Sequence, residues 1–281
     1  MQGFTMSVRT QFPEQTLKTL FDAILVNDVA ETEVTLPTVI PSDFSAEQVA
    51  ECFALCRQLW LEGISYTQFL DLAWKIMRNQ DLSEVDRVAF KHIRAKYKHM
   101  GFGFILYTPQ HKRPFLYEAT STLMGEVQDA FRNGLRKKVF LFGVALRLLA
   151  SKFFQKKRER MVLQAQLDTT ANFNAYLKNE IAKIPDYLNQ PAVTSAQFHA
   201  LRKIISRHIS FFDTLRTLYP TEANNQMSRF LSAINGLMGR MHDELIAQSV
   251  AGTLDYHKDK IEIPERIQAM LLLLHNRYFS E

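Results

Sequence analysis

The amino-acid sequence predicts an all-α protein in which two related halves form a bundle of antiparallel helices. Apolar residues recur at helical spacing along most of the 281 residues, and the chain has only ten Gly and nine Pro. No set of alternating apolar and polar segments predicts a sheet. With 47% hydrophobic and 22% charged residues, the composition is that of a globular protein with a substantial core.

Two capping-box patterns mark where helices begin. Ser45 and Gln48 are spaced so that each side chain reaches the other residue's backbone N–H, and Thr194 with Gln197 repeats this spacing ahead of Phe198. The first pattern precedes a run of apolar residues at helical spacing, and the second precedes a mixed apolar and basic run. Both runs are therefore predicted to be helices.

Other start signals and apolar periodicity locate the remaining elements. Ser83 begins a helix that runs toward Tyr107, and Pro264 begins a final helix that ends near Tyr278. The segment 33–40 is the one piece with an extended pattern, and we interpret it as a linker or one isolated strand. Periodicity predicts further helices over 13–28, 65–79, 115–132, 135–160, 162–183 and 222–250.

The stretch 136–160 combines an apolar run, Val139–Leu149, with basic ends. It predicts a core helix that emerges into solvent near Lys156–Arg158. The alternative interpretation is a basic amphipathic helix that lies on an anionic surface.

The chain predicts a cytoplasmic protein. No segment reaches the roughly 18 apolar residues of a membrane span, and the first residues lack the apolar region of a signal peptide. Cys52 and Cys56 lie one helical turn apart on an apolar pattern, which predicts two buried thiols rather than metal ligands or a disulfide.

Charge is distributed unevenly along the chain. Residues 1–86 contain 5 Lys or Arg and 13 Asp or Glu, residues 87–160 contain 17 and 4, and residues 161–281 contain 12 of each. The net charge of +5 therefore conceals one strongly basic stretch, which would attract anions.

Two segments of the sequence resemble each other. FKHIRAKYKH at 90–99 matches FHALRKIISR at 198–207, and an LMGxxxD sequence follows each about thirty residues later. These two sequences contain Gly125 with Asp129, and Gly239 with Asp243. Because both pieces recur in the same order, the sequence predicts an internal duplication. We divide the chain into an acidic helical or linker segment, 1–44, and a helical domain, 45–281, with repeats of about 45–160 and 161–281.

Each repeat predicts a helix with an apolar face and a ridge of cations. Related halves commonly pack about a pseudo-two-fold axis, which would bring both ridges to one groove. Glycine within the following helix would allow a close approach to its backbone, where Asp129 and Asp243 are predicted to pair with arginine. The residues predicted to bind a polyanion are Lys91, Arg94 and Lys98 in the first repeat, and His199, Arg202, Lys203 and Arg207 in the second.

This pattern resembles the CHAD family, the conserved histidine α-helical domain. His199, Arg202, Gly239 and Asp243 match its second copy, whereas in the first copy Lys91 stands where the histidine is expected, with His92 beside it. The resemblance covers roughly residues 45–275. It implies a bundle of antiparallel helices with two-fold pseudosymmetry that binds inorganic polyphosphate in a basic channel. From the sequence we expect binding without catalysis and without a metal or other cofactor.

Three other functions are compatible with the sequence. The basic stretch 87–160, with aromatic residues nearby, would suit a nucleic-acid-binding protein. The acidic N-terminal segment, with Phe4 and Phe12 exposed, would suit an adaptor that binds another protein or a cover for the basic groove. His242 and Asp243 form the dipeptide that metal-dependent phosphohydrolases use. The sequence does not predict an oligomeric state.

Overall fold

The structure is a computed structural model that describes residues 8–78 and 82–280, and it is helical almost throughout. The all-α class is therefore confirmed. Within the described residues, none of the helices has both the length and the apolar character that a membrane crossing requires. The helices are α1 (Glu14–Leu25), α2 (Ala46–Gly63), α3 (Tyr66–Met77), α4 (Glu84–Tyr107), α5 (Phe115–Arg132), α6 (Arg136–Leu149), α7 (Lys152–Leu163), α8 (Thr170–Ala182), α9 (Ile184–Leu188), α10 (Ser195–Leu218), α11 (Glu222–Val250) and α12 (Glu265–Phe279).

The described strands were not predicted. β1 (Val193–Thr194) and β2 (Lys260–Ile261) form one antiparallel pair, in which Val193 pairs with Ile261. The predicted extended piece, 33–40, contains no strand and is a linker. Two residues are too few for alternation to be visible in a sequence, which explains why this pair escaped prediction.

The chain folds into two compact units. One takes in the chain up to Phe21 together with Val49–Asp168, and the other takes in Asp22–Gln48 together with the chain from Thr169 onward. The chain passes from the first unit to the second within α1 and returns within α2.

Aromatic side chains form the core of the first unit. Trp60 of α2, Tyr97 of α4 and Tyr117 of α5 are almost fully buried, and the ring of Tyr97 lies 5.5 Å from that of Trp60 and 5.3 Å from that of Tyr117. The hydroxyl of Tyr117 donates a 2.9 Å hydrogen bond to the carbonyl of Tyr97. Aromatic burial of this kind holds α2, α4 and α5 together.

The two cysteines are buried in α2, as predicted. Burial, reinforced by Cys56, raises the pKa of the Cys52 thiol well above its usual value. The sequence did not reveal that His99 of α4 lies beside them, with Nε2 3.3 Å from the Sγ of Cys56. Burial lowers the pKa of His99 to about 3, so its imidazole is neutral and suited to an apolar core.

The predicted helix over 135–160 is wrong, because two helices, α6 and α7, occupy this stretch. Ser151 has extended backbone angles and separates them. The break leaves the carbonyl of Leu149 available to Arg158, whose Nη1 donates to it at 2.7 Å. Arg158 was expected in solvent but is fully buried, and it also donates to Gln155 at 2.8 Å. These hydrogen bonds compensate for the desolvation of its charge.

The expectation that α6 is a core helix is also wrong in part. Val139, Gly143 and Leu146 are buried, and a Cβ on Gly143 would lie 2.8 Å from the Cα of Met77 in α3. The helix therefore packs through one narrow face only. The apolar residues on its opposite face are exposed: Phe140, Leu141, Val144 and Leu148.

In the second unit, α10 presents the predicted apolar face to the core. Phe211 of α10 lies in a cluster of rings, 4.7 Å from that of Phe44 and 5.2 Å from that of Phe173. His208 is buried, with Nδ1 2.8 Å from the carbonyl of Ile204. All the apolar residues predicted on this face are buried: Phe198, Leu201, Ile204, Ile205, Ile209, Phe211, Phe212 and Leu215.

Both predicted capping boxes form. The amide of Ser45 donates to Gln48 Oε1 at 2.9 Å, and the amide of Gln48 donates to Ser45 Oγ at 3.2 Å. Thr194 and Gln197 make the same reciprocal pair at the start of α10. Local side-chain hydrogen bonds therefore determine where α2 and α10 begin.

The prediction that Phe12 is exposed is wrong. Phe12 is buried, and its backbone N–H donates a 2.8 Å hydrogen bond to the side-chain oxygen of Gln58 in α2. Phe4 lies outside the described residues.

The segment that follows α1 docks on α11. The side chain of Asn235 donates to the carbonyl of Asn27 at 2.8 Å, and Ser232 donates to the carbonyl of Val26 at 3.0 Å. Between these contacts, Gly236 faces the backbone of the segment, and a Cβ there would lie 2.3 Å from the carbonyl oxygen of Asp28. Only glycine fits at this position.

We expect Gly236→Ala to destabilise the second unit by roughly 3 kcal/mol, because the added methyl group forces the docked backbone away. The matched control is Gly103→Ala in α4, where a Cβ would make an ordinary 3.5 Å contact with Met100. Urea denaturation followed by circular dichroism measures both variants. A wild-type unfolding curve for Gly236→Ala would contradict this close approach.

A buried carboxyl in the second unit predicts a pH-dependent stability. Asp213 of α10 is fully buried, and this burial raises its pKa to about 6 although Ser228 and Arg216 act in the opposite direction. The hydroxyl of Ser228 donates to its Oδ1 at 2.5 Å. The folded protein therefore holds this proton at pH values where the unfolded chain, with a pKa near 3.8, has lost it.

The free energy of unfolding should thus fall by roughly 2–3 kcal/mol from this group as pH rises from about 4 to 7. Asp213→Asn removes the titration but keeps the acceptor for Ser228. As pH rises across this interval, the unfolding free energy of the wild type should fall relative to that of the variant. Denaturation at several pH values tests it, and a constant difference would refute it.

Candidate functional site

The start of α10 lies beside a loop fastened by the short strands. Pairing of β1 with β2 brings residues 251–263 next to the first turn of α10, where the amide of Ala196 donates to the carbonyl of Tyr256 at 3.3 Å. Lys260 Nζ also donates to Gln197 Oε1, the capping residue of the helix, at 3.2 Å. These contacts fix the position of Tyr256 relative to the predicted site residues of α10.

Two imidazoles stack at this place. The rings of His199 in α10 and His242 in α11 have centroids 4.4 Å apart and an interplanar angle of 27°. His242 Nε2 and the hydroxyl of Tyr256 form a 3.1 Å hydrogen bond. Residues from two helices and one loop therefore form a cluster, which we call the histidine cluster: His199, His242 and Tyr256, with Arg202 one helical turn beyond His199.

Arg202 lies directly against α11. A Cβ on Gly239 would be 2.9 Å from Nη2 of Arg202, a separation that side-chain carbon atoms do not adopt. The glycine thus admits the guanidinium to the surface of the neighbouring helix, which is the close approach that the sequence predicted. Pairing of Asp243 with this arginine stays a prediction.

The positive charge of Arg202 also affects the pKa of Tyr256. Burial raises the pKa of Tyr256, and the positive charge of Arg202 opposes this rise. The phenol is therefore protonated near neutral pH and can donate a hydrogen bond. Together with the guanidinium, it gives the cluster donors that suit oxygen anions.

The other predicted residues of α10 have different surroundings. Lys203 is exposed, whereas the guanidinium of Arg207 forms an ion pair with the buried carboxylate of Glu180 in α8. Burial alone would raise the pKa of Glu180, but Lys183 and Arg207 lower it below the usual value. No pattern in the sequence predicts this partner, because 27 positions separate it from Arg207.

In the first unit, α4 holds the corresponding cations. Lys91 is exposed, and Arg94 lies against α5, where a Cβ on Gly125 would be 3.3 Å from its Nη2. The predicted pairing of Asp129 stays untested. Lys98 Nζ lies 5.8 Å from the centroid of the Phe102 ring.

One cation near this face escaped the sequence analysis. The guanidinium of Arg113 lies 5.4 Å from the centroid of the same Phe102 ring and forms an ion pair with Glu118 at 3.2 Å. It belongs to the loop before α5, so helical periodicity does not relate it to Lys98.

The histidine beside Lys91 is partly buried against α1. The ring of His92 meets that of Phe21 edge-on, with centroids 5.1 Å apart. Burial, then the charges of Lys96 and Lys91, lowers the pKa of His92. The first unit therefore lacks, among the groups described, a histidine pair like that of α10 and α11.

The His242–Asp243 dipeptide is the feature of the sequence that is compatible with a metal-dependent phosphohydrolase. Nδ1 of His242 lies 4.0 Å from a carboxylate oxygen of Asp243. Across residues 8–78 and 82–280, the structure contains no group of three or more His, Cys, Asp or Glu side chains arranged to hold a metal ion. The imidazole instead contacts His199 and Tyr256.

Comparison with known proteins adds no relative. No family model, curated protein or solved structure matches this chain.

Proposed function

We propose that this protein binds polyanions, with inorganic polyphosphate as the best-fitting ligand, through the cationic faces of α4 and α10. The observation that carries the proposal is the contact of one arginine with one helical glycine in each unit. Arg94 with Gly125 and Arg202 with Gly239 occupy equivalent places in the two matching sequence segments. This recurrence supports an internal duplication and a shared purpose for the two arginines.

The glycine contact prepares each arginine for binding. A guanidinium laid against a helix has lost much of its rotational freedom before any ligand arrives, so binding costs less conformational entropy. Its planar set of N–H donors matches two oxygens of a phosphate group. Lysines on the same faces, Lys91 and Lys203, are exposed and add positive charge.

The histidine cluster supports binding to phosphate rather than to apolar ligands. Stacked imidazoles would repel each other if both were protonated, and an anion between or beside them would relieve this repulsion. The phenol of Tyr256 and the guanidinium of Arg202 add donors at the same place. The oxygens of a phosphate group would accept hydrogen bonds from Arg202 and, when His242 Nε2 donates to the phenol oxygen, from Tyr256.

Nucleic acid fits the described surface less well. The aromatic residues of α4, which carries the first of the two cationic faces, are buried, among them Tyr97, Phe102 and Tyr107. Bases would therefore find no aromatic platform on α4, and only phosphate contacts remain on that helix. Polyphosphate consists of such phosphate groups alone.

We expect Arg94→Ala combined with Arg202→Ala to weaken polyphosphate binding by at least about tenfold, because two charge-assisted contacts are lost. Calorimetric titration with long-chain polyphosphate at two salt concentrations measures the affinity, which should also depend less on salt.

The charge-matched control for this pair is Arg160→Ala combined with Arg266→Ala. Both of these arginines are exposed, and both lie outside α4 and α10. If the two double variants lose affinity equally, the ligand responds to net charge alone, and the proposed sites are refuted. Circular dichroism verifies that each variant remains helical.

Substitution of the glycines tests the positioning without changing charge. We expect Gly239→Ala to weaken polyphosphate binding severalfold, because the methyl group displaces the guanidinium of Arg202 from α11. Gly125→Ala should weaken binding less, because the Cβ added at position 125 would lie 3.3 Å from Nη2 of Arg94, whereas the Cβ added at position 239 would lie 2.9 Å from Nη2 of Arg202. The reverse order, or wild-type affinity in both variants, would contradict the positioning role.

A further inference from the structure

The outward face of α6 is an exposed apolar surface on the most basic part of the chain. Leu141 and Leu148 are 63% and 62% exposed, and Phe140 and Val144 lie on the same side of the helix. Because the opposite side is buried against α3 and α5, the helix is fixed and this face points outward. We call these four residues the apolar ridge.

Cations surround the apolar ridge. Residues 136–160 contain nine Lys or Arg and a single acidic residue, Glu159. Lys137 and Lys138 stand at the start of α6, on the exposed side. Long basic side chains at the edge of an apolar stripe can extend their charges away from it while their methylene groups extend the apolar surface.

Helix α7 continues this pattern. Phe153 in its first turn is 61% exposed, and Lys157 Nζ lies 4.4 Å from the centroid of its ring. Lys156 and Arg160 are exposed on the same side of the helix. Both helices thus present aromatic or aliphatic groups together with cations.

A tryptophan borders the ridge on α3. Trp74 is 39% exposed, and the guanidinium of Arg147 in α6 lies 5.5 Å from the centroid of its ring. Tryptophan rings are typical of the boundary between water and lipid, because one end of the ring system is polar and the rest is apolar.

We propose that the apolar ridge, with Phe153 and Trp74, binds the surface of an anionic lipid bilayer. The helix α6 would lie in the plane of the membrane, with its apolar residues between the headgroups and the acyl chains. The lysines and arginines around it would contact lipid phosphates and acidic headgroups. The combination carries the inference, since an apolar protein partner would require no cations and a soluble polyanion would require no apolar ridge.

This proposal does not depend on polyphosphate binding. It concerns α6, α7 and Trp74 of α3, and it includes none of the residues of α4, α10 or α11 that are proposed to bind polyphosphate. The interpretation of 136–160 as an amphipathic surface, weighed as the alternative in the sequence, becomes the better one because the structure exposes the ridge.

Flotation of the full chain with vesicles tests the proposal. We expect binding to vesicles of phosphatidylcholine with phosphatidylglycerol and little binding to phosphatidylcholine alone, because charge attracts the protein and apolar contact retains it. Leu141→Gln combined with Leu148→Gln should weaken binding to the anionic vesicles by at least about tenfold. Glutamine preserves helix propensity and charge, so the fold should persist.

A chemically identical pair serves as the control. Leu272 and Leu273 of α12 are 41% and 46% exposed, and their change to glutamine should leave vesicle binding unchanged. Equal loss in both pairs would show general surface hydrophobicity instead of a defined surface and would overturn the proposal. Absence of wild-type binding to anionic vesicles would overturn it as well.

Tryptophan fluorescence gives an independent readout. The chain contains two tryptophans, and Trp60 is buried in the core, so Trp60→Phe leaves Trp74 as the single reporter. Its emission should shift to shorter wavelength on anionic vesicles and be quenched by brominated lipid. If emission stays unchanged while the protein floats with the vesicles, the ridge does not enter the interface.

The double variant Arg94→Ala with Arg202→Ala separates the two proposals. It should bind anionic vesicles as the wild type does, whatever its affinity for polyphosphate. A parallel loss of vesicle binding would mean that lipid phosphates occupy the polyanion sites, and the membrane surface proposed here would be wrong. A change from dimer to monomer in the leucine variant, with vesicle binding intact, would instead identify the ridge as an interface between copies.

Discussion

The contact between an arginine and a helical glycine constrains how neighbouring helices meet at both candidate sites. Arg202 reaches α11 because Gly239 has no side chain, and Arg94 reaches α5 across Gly125 in the same way. A glycine within a helix costs about 1 kcal/mol relative to alanine. The sequence retains it twice at matching positions, so the close approach has to offset that cost. The guanidinium groups are consequently oriented by the fold itself, and the functional proposal follows from that orientation.

Buried polar groups explain much of the remaining architecture. Arg158 in the first unit and Asp213 in the second are both fully buried, and each forms hydrogen bonds within the core. The arginine requires the carbonyl that the break between α6 and α7 exposes, and the carboxyl requires the hydroxyl of Ser228. An ionisable group placed in a core demands partners with defined geometry. Such demands override the continuous periodicity that predicts one long helix.

Local features were predictable and non-local ones were not. The capping boxes at Ser45 and Thr194 and the apolar face of α10 depend on residues a few positions apart, which a sequence displays directly. The break at Ser151 depends on Arg158, and the ion pair of Arg207 depends on Glu180 in another helix. Within the candidate site, His199 and Arg202 follow from helical spacing. Tyr256 lies on a loop that the two-residue strands β1 and β2 hold in place, and no periodic pattern in the sequence predicts its position in the site.

The strong positive charge of residues 87–160 consists of cations with different tasks. Arg158 is buried and has a structural role, and the charge of Arg113 is partly neutralised by Glu118. The side chain of Arg94 lies against the neighbouring helix α5. The lysines around α6 accompany exposed apolar residues instead. Charge alone attracts any anion, whereas the atoms beside each charge decide which anion gains most. Fixed guanidinium groups without exposed apolar neighbours favour a phosphate chain, and cations that border an apolar ridge favour a lipid interface. The same basic stretch thus contributes to both proposed surfaces, whose expected ligands differ in physical state.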